Sequence, residues 1–386
     1  MRTAVISDLH LGSASREDVL RDPEVRSALF EPLASADRLV LLGDSVELRD
    51  FPLALALEEA RPFFEELGEA MAGREVLMVP GNHDHRLAEP LLEQHSLDGA
   101  GQRPLGLENR YAPAGGAAAR IAAWLGPARL EMSYPGVWLT SEVYAMHGHY
   151  MDVHLTLPKV EAIGAAALTR ALGRLPDPAA PQDYERLLAP MYGLIYDFAQ
   201  TRGHRKVGAP RPSERVWKLA TGGAGSGSRR ARLASTAISR GAVPLAVGAL
   251  NLLLGTGYES DLSAPAVSRA GVRGAAEAAQ RMRIGAEHVV VGHSHRAGPR
   301  EDEGPWRIEG GGSLHNTGNW VFASALHPLR SRPGPYWPGT VTWVEPGLAP
   351  HRELLLADRS AEELAAIGGG SAGRFRLYSL ASREES

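Results

Sequence analysis

Residues 75–84 read Glu-Val-Leu-Met-Val-Pro-Gly-Asn-His-Asp, a short apolar run that ends in side chains able to bind metals or transfer protons. Residues 3–10 and 38–44 repeat this pattern. The segments between these runs, residues 17–36 and 52–72, have a helical distribution of apolar residues. Strands that are apolar on both faces and alternate with helices predict a buried sheet covered by helices. Such sheets carry their chemistry at the carboxyl ends of the strands.

Two later stretches end in the same way. Residues 142–149 finish in His147-Gly148-His149, and residues 288–295 finish in Gly292-His293-Ser294-His295. Between them, residues 156–283 are rich in Ala, Arg and Leu with helix-like spacing, which we interpret as a helical insertion. The predicted organisation is a core in two parts with the insertion between them and an extension after them: residues 1–155, 156–283, 284–350 and 351–386.

The composition narrows the chemistry that this chain can perform. Its 386 residues include no cysteine, which excludes disulfides and thiolate metal sites and leaves His, Asp, Glu and Asn as metal ligands. The formal net charge of −4 gives no general electrostatic reason to bind nucleic acid. No apolar run approaches the roughly 20 residues that span a bilayer, and the N-terminal run is too short for a signal peptide. We therefore expect a cytoplasmic protein.

The five polar clusters at the predicted strand ends have the residue types of a two-metal site. Two divalent cations a few ångström apart repel each other, so an anionic carboxylate must lie between them. Neutral imidazoles complete each shell without adding negative charge, and this oxygen and nitrogen set suits Mn, Fe, Zn or Co. The clusters are Asp8-Leu9-His10, Gly43-Asp44, Gly81-Asn82-His83-Asp84, His147-Gly148-His149 and Gly292-His293-Ser294-His295.

The order of these clusters resembles the calcineurin-like metallophosphoesterase family, whose motifs are D-x-H, G-D-x-x-[DE], G-N-H-[DE], H-G-H and G-H-x-H. The resemblance covers about residues 1–150 and 285–345. It implies an α/β fold, a layered α/β/β/α sandwich, over which the helical insertion forms a cap. It also implies hydrolysis of a phosphate ester or anhydride by a hydroxide held between two divalent metal ions. Mn²⁺ is the favoured metal, with Fe, Zn or Co as alternatives.

The resemblance also implies a role for each cluster. One metal would be bound by Asp8, His10 and His295. The other metal would be bound by Asn82, His147 and His293, and Asp44 would bridge the two.

Three further roles follow from the same resemblance. His83 would act on the leaving-group oxygen, with Asp84 orienting its imidazole. His147 is favoured over His149 as the ligand, because relatives with H-G-D in this cluster use the first histidine. His149 would then face the substrate.

The sequence leaves several polar residues open to two interpretations. Arg86 either clamps a phosphate oxygen or is an exposed arginine. Asn316, in the Asn-Thr-Gly-Asn-Trp stretch, either contacts substrate or belongs to a tight turn that requires glycine. Asp152 either supports the metal ligands or is a polar loop residue, and Glu47 either belongs to the motif or satisfies a local turn.

The substrate is less constrained than the reaction. The chain is similar to the UDP-2,3-diacylglucosamine pyrophosphatase-like branch of the family, but His83 stands where that branch carries arginine, so that substrate is not transferred. We expect a small-molecule or lipid-linked phosphate. Residues 228–254, basic and then apolar, are either a membrane-surface cap or a buried cap helix. The alternative functions are a nuclease or cyclic-nucleotide phosphodiesterase, and a non-catalytic scaffold of the same fold.

Overall fold

A computed structural model describes residues 1–97, 104–201, 243–323 and 332–369 of the chain. The middle of the predicted insertion, including the basic stretch that begins at residue 228, lies outside the described residues. So does the tail from residue 370.

The first sheet is built on three parallel strands, β1 (Thr3–Ile6), β2 (Arg38–Leu42) and β3 (Glu75–Val79). Every residue of β1 and β2 is buried, as strands covered on both faces must be. The remaining strands of this sheet are β4 (Glu108–Tyr111), the first part of β5 (Arg129–Trp138), β10 (Thr340–Val344) and β11 (His351–Leu354).

The second sheet begins where the first one ends, on β5. Met132 of this strand pairs with Met78 of the first sheet, and Trp138 pairs with Tyr144 of the second. This strand runs straight through Pro135-Gly136, although a Pro-Gly pair is typical of a turn. The other strands of the second sheet are β6 (Val143–Met146), β7 (His288–Val291), β8 (Trp306–Arg307) and β9 (Ser313–Asn316).

Alternating side chains arrange the two sheets into layers. Val5 and Val40 of the first sheet pack with Val137 and Val290 of the second, which forms the core between the sheets. Ile6 and its outward-facing neighbours pack instead against the helices on the outer face. The outer face of the second sheet has its own core with the helices of the insertion. The predicted layered α/β/β/α sandwich is confirmed.

Two of the described helices begin at a side-chain cap with a proline in the first turn. Asp22 accepts hydrogen bonds from the amides of Glu24 and Val25 at the start of α1, and Ser263 caps α8 through Ala266. Within the described residues the α-helices are α1 (Pro23–Leu33), α2 (Leu53–Ala70), α3 (Glu89–Leu97), α4 (Gly116–Leu125), α5 (Val160–Leu172), α6 (Pro181–Thr201), α7 (Val243–Leu254), α8 (Ala264–Arg281) and α9 (Ala361–Gly369).

The described part of the insertion, α5 to α8, packs close to the second sheet. A Cβ on Gly274 of α8 would lie 3.0 Å from the carbonyl oxygen of Met151, so this glycine lets the helix approach the chain that follows β6. Leu245 and Leu252 of α7 are exposed, at 77% and 87%. Within the described ranges, no helix is both long enough and apolar enough to cross a membrane.

The end of the core differs from the expectation. β11 pairs with β10, and Leu356 and Leu364 are buried in the core of the first sheet. The core therefore continues past residue 350, where we expected an extension to begin.

Candidate metal centre

The predicted ligands converge at one edge of the two sheets, where β1, β2, β3, β6 and β7 end. Three groups each bring one ligand atom per residue within 4.8 Å of the others. These groups are Asp8 with His10 and His295, Asp44 with His147 and His293, and His10 with Asp44 and His83.

The backbone at these strand ends adopts an uncommon conformation. A positive φ is rare for residues other than glycine and costs roughly 1–3 kcal/mol, so it persists only where the surrounding structure enforces it. Here it turns the chain sharply as each strand ends, which aims the side chains into a shared space. The residues concerned are Asp8 (57°), His10 (47°), Asp44 (52°), His293 (65°) and His295 (60°).

Two glycines allow the loops to approach each other. A Cβ on Gly81 would lie 2.4 Å from Asp44 Oδ1 and 2.6 Å from His147 Cδ2. A Cβ on Gly43 would lie 2.3 Å from His147 Cγ, and Gly43 also has a φ of 82°. Any side chain at either position would occupy the space of a candidate ligand.

The imidazoles of His10, His147 and His293 each use one nitrogen on the protein and present the other to the centre. His147 Nδ1 lies 2.9 Å from the Leu42 carbonyl oxygen, and His293 Nε2 lies 3.0 Å from Asp152. Asp152 therefore supports a candidate ligand, which was one of its two predicted interpretations. This arrangement is typical of metal-binding histidines, whose second nitrogen donates to a carboxylate or a carbonyl.

The inward-facing atoms are suited to cations. His10 Nε2 lies 3.2 Å from His295 Nε2, and His147 Nε2 lies 3.2 Å from Asp44 Oδ2. Asp8 Oδ1 is buried and has no hydrogen-bond partner among the described residues. Nitrogen lone pairs that face each other and a buried carboxylate oxygen left without a donor both fit a divalent metal.

Asn82 completes the second group. Its side-chain amide lies between two groups. Oδ1 is 3.3 Å from His147 Nε2, and the other end of the amide faces the guanidinium of Arg49. The end of the amide that faces His147 also lies 3.2 Å from Asp44 Oδ2. An oxygen at this end could therefore share a cation with Asp44 and His147.

Glu47, rather than Asp84, orients the imidazole of His83. His83 Nδ1 lies 2.7 Å from Glu47 Oε2, and the same carboxylate receives His10 Nδ1 at 3.1 Å. The expectation that Asp84 holds this ring is wrong. The sequence signal for Glu47 was its place in the G-D-x-x-[DE] motif.

Asp84 instead fixes the backbone of two loops. It is fully buried and accepts hydrogen bonds from the amides of Gly81 at 2.7 Å and Ser45 at 2.8 Å. Amides of Asp44 and Val46 point at the same carboxylate. A carboxylate already filled by backbone donors has no free oxygen for the ring of its neighbour.

Buried carboxylates and imidazoles dominate the electrostatics of the centre. Burial would raise the pKa of Asp44, but the charges of His147 and His83 outweigh it and hold that pKa well below its usual range. Burial opposes protonation of His147, yet the Asp44 carboxylate raises the pKa of His147 to about 10. The protons held here occupy the positions that a cation would take, so metal uptake would release protons.

Two predicted substrate contacts are enclosed in the protein. His149 is 2% exposed, and its Nε2 lies 3.1 Å from the Tyr134 hydroxyl. Asn316 is equally buried and donates to the Gly292 carbonyl, while its own oxygen accepts from the Gly318 amide. The glycine-requiring turn is confirmed by a φ of 81° at Gly318.

A cavity of about 500 Å³ opens beside the centre, between α3 and α6. His83 and Asn82 line its inner end, and Arg86 lies farther out with its guanidinium paired to Glu89 and 5.2 Å from the Tyr196 ring.

Sequence reasoning missed Arg49, which is buried at the inner end and paired with Glu161 at 3.1 Å. Arg49 belongs to none of the five clusters, and its partner Glu161 lies in the insertion, so no sequence signal pointed to it.

The comparisons with known proteins agree with this geometry. A model of the calcineurin-like phosphoesterase family matches residues 1–183. No curated protein matches the chain. The match contains the first four clusters, and the fold brings the fifth, around His293 and His295, to the same site. Residues 1–183 of this chain therefore belong to the calcineurin-like phosphoesterase family.

Proposed function

We propose that this protein hydrolyses a phosphate ester or anhydride at a centre of two divalent metal ions, with Mn²⁺ as the favoured metal. The observation that carries the proposal is the pair of ligand groups, Asp8 with His10 and His295, and Asp44 with His147 and His293, at one sheet edge. The family membership of residues 1–183 supports metal-dependent phosphoester hydrolysis as the class of reaction.

In this proposal each group holds one cation. Asp8, His10 and His295 bind one metal, and Asn82, His147 and His293 bind the other. Asp44 serves both, because its carboxylate lies 3.2 Å from His147 and 3.7 Å from His10. When bound, the cations would supply Lewis acidity toward the phosphoryl group and would lower the pKa of water.

His83 is the proposed group that handles the leaving group. Its ring lines the cavity and is 18% exposed, whereas the neighbouring candidate ligands His10 and His147 are fully buried. Burial would lower the pKa of His83, but the carboxylates of Glu47 and Asp44 outweigh it and raise that pKa. A histidine whose pKa is raised and whose ring faces the cavity can donate a proton to a departing alkoxide.

The cavity also bears on the substrate. Its volume of about 500 Å³ lies in the range of sites for small organic molecules. Tyr192, Tyr196, Arg49 and Arg86 line its wall. The two guanidinium groups are paired with Glu161 and Glu89. We therefore propose a small-molecule phosphate whose leaving group extends along α6.

A substrate panel tests the proposal. Purified protein stripped of metal and then supplied with Mn²⁺ is offered p-nitrophenyl phosphate, bis-p-nitrophenyl phosphate, nucleoside diphosphate sugars, single-stranded DNA and a lipid-linked phosphate. We expect Mn²⁺-dependent phosphate release from at least one small-molecule or lipid-linked substrate, and its loss when a chelator is added. Hydrolysis of DNA alone would favour the nuclease alternative. Absence of metal binding and of all hydrolysis would favour the scaffold alternative.

A further inference from the structure

One carboxylate from the insertion joins the two loops that carry Asn82 and His147. Glu185 of α6 is 8% exposed and receives three hydrogen bonds. The donors are His85 Nε2 at 2.7 Å, the Tyr134 hydroxyl at 2.5 Å and the Tyr150 hydroxyl at 2.6 Å. These donors come from three separate parts of the core, so α6 is tied to all of them at a single point.

Two of the three donors are close in sequence to candidate ligands. His85 follows Asn82 by three residues, at the start of the 3-10 helix His85–Ala88. Tyr150 follows His147 by three residues, in the 3-10 helix His149–His154. That second short helix also contains Asp152, which holds His293 Nε2 at 3.0 Å. A shift of either short helix would therefore move a candidate ligand.

The rest of the buried face of α6 reinforces this contact. The Tyr184 ring stacks on Tyr150 at 4.6 Å with an interplanar angle of 10°, and its hydroxyl lies 2.8 Å from His154 Nε2. The Tyr192 ring lies 5.2 Å from that of His85. Tyr184, Glu185 and Tyr192 lie on one face of the helix. That face packs against both the loop that carries Asn82 and the loop that carries His147.

An ionised carboxylate at residue 185 suits its three hydrogen-bond donors better than an amide would. Burial would raise the pKa of Glu185, but the charge and hydrogen bond of His85 outweigh it and lower that pKa. A buried carboxylate with three donors is satisfied, whereas an amide in its place has one accepting oxygen and brings two donors of its own. The amide nitrogen would then face a group that now donates, so that partner must turn its hydroxyl or change its ring tautomer, and the negative charge beside His85 is lost.

The other ligand group does not share this support. Asp8 and His10 follow β1, and the His295 carbonyl accepts from Asn319 at 2.8 Å. Among the residues that the structure describes, Glu185 hydrogen-bonds to none of these three. The side-chain contacts of the Glu185 network therefore lead to one of the two ligand groups, and a link to the other group runs through the backbone amide of His293, which donates to Asp8 Oδ2 at 3.0 Å.

We propose that Glu185 is a positioning residue through which the cap holds Asn82, His147 and His293 in place. The metal position built from these residues depends on the cap, and the position built from Asp8, His10 and His295 does not. This inference rests on the proposed two-metal function and goes beyond it by assigning the cap a part in metal binding.

The test measures metal binding rather than turnover. Metal-free wild-type protein and Glu185→Gln are titrated with Mn²⁺ in a calorimeter, and bound metal is counted after dialysis. We expect the wild type to bind two ions. We expect Glu185→Gln to bind one ion normally and the other about tenfold more weakly, the low end of the effect of residues that orient metal ligands. Tyr258→Phe is the matched control, because it removes a buried hydroxyl bond within the cap, to the Ala162 carbonyl at 2.7 Å.

A second variant covers the case in which Glu185→Gln does not fold. Tyr150→Phe removes one of the three donors and no charge, and it should weaken the same ion by a smaller factor. Unchanged affinity for both ions, equal weakening of both, or the same weakening in Tyr258→Phe would overturn the inference. The two proposals fail in different ways, because the proposed function fails if the wild type binds metal but hydrolyses nothing.

Discussion

Glu47 accepts hydrogen bonds from both His10 Nδ1, at 3.1 Å, and His83 Nδ1, at 2.7 Å. One buried carboxylate thus orients a candidate metal ligand and the candidate proton donor at the same time. Burial would raise its pKa, but His83 and His10 outweigh this and hold the pKa of Glu47 well below its usual range. The carboxylate is therefore ionised at neutral pH.

Glu47→Gln should damage both functions of this carboxylate. The amide keeps the size of the side chain but presents donors where two imidazole N–H groups need acceptors. We expect kcat to fall about 10–100-fold and the affinity for one metal to fall with it. Steady-state kinetics over a series of Mn²⁺ concentrations measures both effects. Glu58→Gln, which removes an exposed carboxylate on α2, is the control. A normal kcat at saturating Mn²⁺ would show that Glu47 serves metal binding alone.

His83→Ala should retain both metals and lose roughly 10²–10⁴-fold in rate, because it removes a proton donor and leaves the ligands intact. The loss should be smaller for p-nitrophenyl phosphate, whose leaving group departs without protonation, than for an alkyl phosphate. The ratio of kcat/KM for the two substrates measures the difference. An equal loss on both substrates would exclude His83 as the proton donor.

Gly81→Ala tests the close approach of the loops. The added methyl carbon would lie 2.4 Å from Asp44 Oδ1 and 2.8 Å from the Asp44 amide, so Asp44 or the whole loop must move. We expect metal binding and activity to be lost while far-UV circular dichroism stays that of the folded protein. Gly73→Ala is the control, since it has a φ of 73° but nothing within 4 Å of the new methyl carbon. Retained activity in Gly81→Ala would mean that Asp44 need not occupy its observed position.

The buried side chain of His315 leads us to expect that the stability of the protein depends on pH through a group away from the metal centre. Burial, followed by the charges of His288 and Arg352, lowers the pKa of His315 to about 4, from an ordinary value of 6.5. The unfolded chain therefore binds more protons between these values, so stability rises with pH from about 4 to about 6.5 and then levels off.

His315→Gln should remove this dependence, which amounts to at most about 3 kcal/mol in the free energy of unfolding. Urea unfolding at pH 4.5 and pH 7 measures it in both proteins. The wild type should lose more stability than the variant on acidification. The same loss in both would place the dependence on other groups.

The ligand clusters were predictable because each follows a short apolar run, and parallel strands bring their carboxyl ends to one edge. Asp8, Asp44 and Asn82 are examples, since they follow β1, β2 and β3. The supporting contacts were not predictable, because they join loops that are distant in the sequence. Glu47 meets His83 across 36 residues, and Glu185 meets His85 across 100. No local periodicity encodes such pairs.

The prediction for Asp84 failed for a related reason. The family resemblance implied that Asp84 would hold the ring of His83 beside it. Four backbone amides of two loops converge on its carboxylate instead. Backbone donors carry no sequence signal of their own, so their demand on a buried acceptor appears only once the loops are placed.

The central claim is a centre of two metal ions that share Asp44, and metal analysis of wild type and Asp44→Asn tests it most directly. Metal-free protein is dialysed against Mn²⁺, and bound metal is counted by atomic absorption. Asp44 lies 3.2 Å from His147 and 3.7 Å from His10, so its charge should serve both positions. We predict two ions per wild-type chain, and one or none per chain of folded Asp44→Asn. Two ions in the variant, or none in the wild type, would contradict the account.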